Sequence, residues 1–255
     1  MSCKTARLVR ASSHDYPGLV RRWRAVSRAA GMKCIPFAEA GGWPVYALFP
    51  RSLKARHARL YLSAGIHGDE PAATEGLIEW AESSVEVLRG GGIVIFPCIN
   101  PWGLINNSRL DAAGRDLNRC YKRSRVEPVV SQKRILAGWK FEYAACLHED
   151  YDGRGVYIYE VDGGEPYIGE KILKIASRHL PLEARTTIEG SLCKNGLIRR
   201  QVPPELMETL PEAILLHLKH ARHTITLETP SEFHIDDRVS VHRTAIQELV
   251  RLAGL

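Results

Sequence analysis

Apolar residues recur at helical spacing from Leu19 to Ala30 and stop at Gly31, a pattern that predicts an amphipathic helix followed by an extended segment. Apolar runs of strand length follow at Val45–Phe49 and Arg59–Ala64, and the stretch from Pro71 to Ser84 reads as a helix with Pro in its first turn. Ile93 to Cys98 is apolar throughout, as expected of a strand covered on both faces. Residues 99–125 are polar and rich in Gly and Asn, which predicts a long loop of the kind that carries function. Beyond it the alternation resumes, with helices expected over Ser131–Lys140, Pro166–His179, Pro204–Leu218 and Ser240–Leu252. Strands are expected over Tyr143–Leu147, Gly155–Glu160, Arg185–Ile188 and His223–Leu227. Strand–helix alternation implies an α/β fold, a mostly parallel sheet with helices on both faces, whose ligands sit beyond the carboxyl ends of strands.

Composition narrows the classes without changing the fold. The 255 residues are 45% hydrophobic and 25% charged, which excludes disorder, collagen and coiled coil. No apolar run reaches the ~20 residues of a membrane span. The opening Met1-Ser2-Cys3-Lys4 lacks the apolar centre of a signal peptide, so a cytoplasmic location is expected. Six cysteines (Cys3, Cys34, Cys98, Cys120, Cys146, Cys193) are scattered with no C-x-x-C pair and read as reduced thiols. The net charge of +6 is dispersed over Arg21 to Arg24, Arg51 to Arg59, Lys122 to Arg125 and Arg199-Arg200, the pattern of a basic solvated surface. No repeat or linker divides the chain, and one domain over residues 1–255 is expected.

Four polar segments fall where strands end. In His67-Gly68-Asp69-Glu70 an imidazole and a carboxylate at this spacing can converge on one ion, and zinc accepts such donors. The same acids also suit a helix N-terminus facing the macrodipole. Asn100-Pro101-x-Gly103, Arg109 and Asp116-Leu117-Asn118-Arg119 place guanidinium forks in one loop, a match for a carboxylate, or else form a loop of turn-forming residues. His148 closes an apolar run ahead of Glu149 and Asp150, and Glu228 closes a late strand ahead of Thr229-Pro230. Singly, each of these last two reads as structure as readily as chemistry.

Taken in order, the segments resemble the M14 zinc carboxypeptidase family, including its murein-peptide amidase and cytosolic carboxypeptidase branches. The resemblance spans roughly residues 60–230. The Asp116-Leu117-Asn118-Arg119 spelling is also similar to that of aspartoacylases and succinylglutamate desuccinylases. The resemblance implies a three-layer α/β/α sandwich with a mixed, mostly parallel sheet. It implies one zinc per chain held by His67, Glu70 and His148, with Glu228 as general base and Arg109 polarising the scissile carbonyl. Asn118, Arg119 and Arg109 would bind the substrate, the first two by holding its carboxylate, and Asp116 would brace Arg119 or another pocket group. Glu149 after His148 departs from many relatives, which carry a small residue or Asn there. Digestive members close a mobile Tyr over the substrate, and Tyr151, Tyr157 and Tyr159 all lie near enough in sequence to be considered.

The implied activity is cleavage of an amide bond beside a free carboxylate, as a metallocarboxypeptidase acting on peptides or muropeptides. The alternatives are an N-acyl amino acid deacylase and a zinc protein that recognises carboxylates without turnover. Neither a nucleic-acid nor a membrane partner is expected.

Overall fold

The computed structural model describes residues 13–51, 56–122 and 125–255. Met1–Lys4, with Cys3, and Arg123 in the third basic group lie outside them. Helix α1 (Tyr16–Ala30) is capped by the Asp15 side chain and ends at Gly31, whose left-handed φ of 67° closes the last turn. There follow β1 (Lys33–Ala40), β2 (Trp43–Phe49), β3 (His57–Ser63), α2 (Pro71–Ser83), α3 (Val85–Gly90), β4 (Ile93–Phe96) and α4 (Pro101–Asn106). Next come α5 (Val129–Ile135), β5 (Lys140–Asp150), β6 (Tyr157–Val161), α6 (Gly169–Ala176), β7 (Thr187–Ile188), β8 (Ser191–Leu192) and β9 (Leu197–Arg200). The chain closes through α7 (Leu206–Thr209), α8 (Glu212–Lys219), β10 (Ala221–Pro230) and α9 (Ile235–Leu252).

Eight strands form one sheet in the order β1-β2-β4-β3-β5-β10-β6-β9, while β7 and β8 pair only with each other. The four central strands β4, β3, β5 and β10 run parallel, and antiparallel pairings occur at β1–β2, β2–β4 and β10–β6. The central strands are apolar on both faces because each face is covered. Leu60, Leu62, Ala145, Leu147, Ile225 and Leu227 pack under α1, α2, α6 and α9. Their neighbours Tyr61, Val94, Ala144 and Cys146 pack under α5 and α8. This is the expected three-layer α/β/α arrangement with a mixed sheet.

Four expectations are corrected. Residues 99–125 are not all loop: Asn100 accepts the Gly103 N–H at 2.9 Å and caps α4, with Pro101 at its first position, so the Asn-Pro pair starts a helix. The helix expected over Pro204–Leu218 is two, broken at Leu210, because Pro211 disfavours helical geometry in the residue before it. The strand expected at Arg185–Ile188 is a two-residue piece outside the main sheet, and β9, unforeseen, takes the edge position instead. Strands β5 and β10 extend beyond Leu147 and Leu227, so His148 and Glu228 lie within strands rather than after them. Cys34, Cys98, Cys120, Cys146 and Cys193 are unbridged. Among the described residues no helix is long and apolar enough to cross a membrane.

Candidate metal centre and substrate pocket

Three neighbouring parallel strands deliver the chemistry. Past β3 the chain turns at Gly65, held at φ 62°, and reaches His67 and then Glu70 at the mouth of α2. His148 lies near the carboxyl end of β5, and Glu228 is its register partner on β10. The loop bearing His67 rests on α4: the Gly68 N–H donates to Ser108 O at 3.0 Å, and a Cβ at Gly68 would meet the Gly103 carbonyl carbon at 1.9 Å. Only glycine allows that approach.

The Nδ1 atoms of His67 and His148 converge on the Glu70 carboxylate, at 2.6 Å from Oε1 and 2.9 Å from Oε2. One ligand atom from each of the three residues lies within 4.8 Å of the others, and all three residues are buried. Two imidazole nitrogens and a carboxylate oxygen are a donor set that could hold a metal ion. His67 Nε2 lies 3.2 Å from Asp116 Oδ1, the carboxylate partner that fixes the ring of a ligating histidine. The electrostatics agree with a site shaped for a cation. Burial pulls the His67 pKa down, but Glu70 and Asp116 more than reverse this and raise it to about 9. Burial likewise works against the Glu70 carboxylate, yet the two histidines hold its pKa well below the usual range.

Of the two expectations for Asp116, it is other pocket groups, His67 and Arg109, that its carboxylate braces. Besides His67 its carboxylate accepts from Arg109 Nη2 at 3.1 Å and from the Asn118 N–H at 2.9 Å, whereas Arg119 donates its backbone N–H to Asp116 O at 3.0 Å. Arg109 thus lies against the ligand cluster, with Nη1 3.6 Å from Glu70 Oε1. Asn118 Oδ1 accepts the Glu212 N–H at 2.9 Å, tethering the 3₁₀ turn Leu117–Arg119 to the start of α8. Arg119 is exposed, its guanidinium donating to Asn118 O at 3.1 Å.

His67, Glu70, Arg109, Asn118, Arg119, His148 and Glu228 all line one cavity of about 260 Å³. The structure therefore brings together every residue expected to hold the metal, act as base or bind the substrate. Tyr157 and Tyr159 line the same cavity, whereas Tyr151 does not and is exposed. Tyr157 is buried, its hydroxyl donating to Asp150 at 2.8 Å. Two features were missed. Arg200 reaches the far wall with its guanidinium 4.7 Å from the Tyr159 ring centroid, and only the pairing of β9 beside β6 could have placed it. Glu149 is wholly buried in a salt bridge with Arg238, a pairing 89 residues apart that leaves no local sequence signal.

Residues 56–137 match the family model of the Succinylglutamate desuccinylase/Aspartoacylase catalytic domain. No curated protein matches the chain. Among solved structures, it is similar to two provisionally named metallopeptidases. The one from Shewanella baltica is 21% identical, with 94% of this chain and 93% of that chain covered and a TM-score of 0.84. The one from Shewanella amazonensis is 20% identical, with 94% of both chains covered and a TM-score of 0.83. A metallo-carboxypeptidase from Burkholderia cenocepacia is 14% identical over 94% of this chain and 69% of that one, with a TM-score of 0.68. The chain therefore has the zinc carboxypeptidase-like fold, and the segment carrying His67, Glu70, Arg109 and Asn118-Arg119 bears the signature of the desuccinylase and aspartoacylase catalytic domain.

Proposed function

We propose that the chain, as one catalytic domain over residues 1–255, is a zinc-dependent hydrolase that cleaves an amide bond beside a free carboxylate. The observation that carries this reading is the register of Glu228 with His148, which puts a carboxylate beside the three-residue donor set inside the cavity that Asn118 and Arg119 enter. His67, Glu70 and His148 would hold the zinc, one per chain. A bound zinc supplies Lewis acidity, polarising the scissile carbonyl and acidifying water. Glu228 takes the proton of the attacking water and returns it to the leaving amine. Arg109 meets the negative charge that develops on the carbonyl oxygen. Asn118 and Arg119 hold the substrate's carboxylate and so fix which amide reaches Glu228. A base beside the donor set has no use in a protein that only binds carboxylates.

A metallocarboxypeptidase acting on peptides or muropeptides is the first reading, supported by the fold shared with carboxypeptidases. An N-acyl amino acid deacylase is the second, favoured by the match of residues 56–137. A cavity of about 260 Å³ admits the end of a chain or a small acylated acid, not a folded polypeptide. Five unbridged cysteines accord with a cytoplasmic setting. Assaying purified protein on short peptides, muropeptides and N-acyl amino acids, each with and without its free carboxylate, separates the two readings. Release of a C-terminal residue supports the first, release of an acyl group the second, and turnover of neither removes both.

A further inference from the structure

Strand alternation turns Glu149 away from the face that His148 presents, toward α2 and α9. There its fully buried carboxylate accepts the Ala72 N–H at 2.6 Å through Oε1 and pairs with Arg238 of α9 through Oε2. Arg238 is itself fixed, its Nε donating to Phe233 O at 2.9 Å. Ala72 stands two residues after Glu70, in the first turn of α2, where amides have no partner within the helix. Glu70 occupies the capping position but makes no cap, because its carboxylate faces His67 and His148. The missing acceptor comes from β5 instead. One carboxylate thus ties the helix that begins at Glu70 to the strand that holds His148, and a guanidinium from a third element holds that carboxylate in place.

We propose that Glu149 and Arg238 are positioning residues that set the separation of Glu70 from His148 and thereby the affinity and geometry of the metal centre. The inference rests on the reading that His67, Glu70 and His148 bind a divalent ion. If the pair serves stability alone, as buried ion pairs can, its loss lowers the melting temperature and leaves metal binding by the folded chain unchanged.

The test titrates metal-free protein with Co²⁺ against a competing chelator and records the visible absorption of the bound ion, which reports its coordination geometry. Glu149→Gln keeps an acceptor for Ala72 and loses the charge pairing; Arg238→Gln loses the partner. Each is expected to weaken Co²⁺ binding by about 10–100-fold, the range for residues that orient ligands, and to alter the spectrum. The double variant Glu149→Gln/Arg238→Gln, in which one amide can donate to the other, should recover part of the loss. If a single variant fails to fold, Arg238→Lys, which keeps the charge without the planar fork, should bind Co²⁺ more weakly than wild type. Wild-type affinity and spectrum in the folded variants, with only the metal-free melting temperature reduced, would overturn the proposal. A wild-type chain that takes up no Co²⁺ overturns the metal-centre reading itself and this inference with it.

Discussion

Glu228 is the residue whose environment speaks most directly about chemistry. Burial raises its pKa from 4.5 to about 8; His148 and Arg109 pull it down, and Glu70 and Asp150 push it further up. A carboxyl group raised in the folded state stabilises the fold below its unfolded pKa, and that contribution is lost as the pH rises through about 8. Metal-free wild type should therefore lose thermal stability between about pH 5 and pH 8 relative to Glu228→Gln, which cannot ionise there. Parallel melting curves for the two proteins across that interval would show that Glu228 is not held in this way. A divalent cation next to the carboxylate favours its charged form, so metal loading should return it to service as a base. Glu228→Gln should keep its metal while kcat falls roughly 10²–10⁴-fold, the range for a general base. Glu149, the other acid beside His148, already has Oε1 engaged by the Ala72 N–H and Oε2 by Arg238. Arg119, being exposed, gives a smaller effect than a buried clamp would. Arg119→Ala should lower kcat/KM about 5- to 30-fold on substrates with a free carboxylate and hardly at all on their amides. Equal losses on both classes would mean that Arg119 does not read the carboxylate.

At the level of elements, the site depends on how closely two loops approach. Backbone contact between Gly68 and α4 leaves no room for a methyl group, so Gly68→Ala must push α4 away from the His67 turn. Overpacking against backbone costs about 3 kcal/mol, which lowers the melting temperature of a chain this size by roughly 6–12 °C. Metal affinity should fall with it; a Gly68→Ala protein of unchanged stability would show that the loop can yield. The same elements explain which parts of the structure were readable from sequence. Ile93 to Phe96 announced a doubly covered strand because every residue is apolar, and His67 with Glu70 stood out because ligand spacing there is local. The ends of β5 and β10 were misjudged because they are polar where they enter the cavity, and polarity in a strand looks like its end. Arg200 and the Glu149–Arg238 pair could not be seen, since each is defined by a partner distant in sequence.

Across the whole molecule, the order β3-β5-β10 sets three chemical groups side by side: His67 after the first strand, His148 on the second and Glu228 on the third. Parallel strands point their carboxyl ends the same way, and that shared end is where the cavity opens. Of the charge of +6 dispersed along the chain, Arg109 and Arg119 stand at this cavity, with Asn118 beside them. The most direct test of the account is metal content and amide hydrolysis measured together on one preparation, before chelation, after it and after zinc is returned. One zinc per chain, with hydrolysis of carboxylate-bearing amides lost on removal and regained on return, is the predicted result. Undiminished hydrolysis by protein stripped of metal, a chain that binds no zinc, or zinc binding that survives unchanged in His67→Ala and His148→Ala, would contradict it.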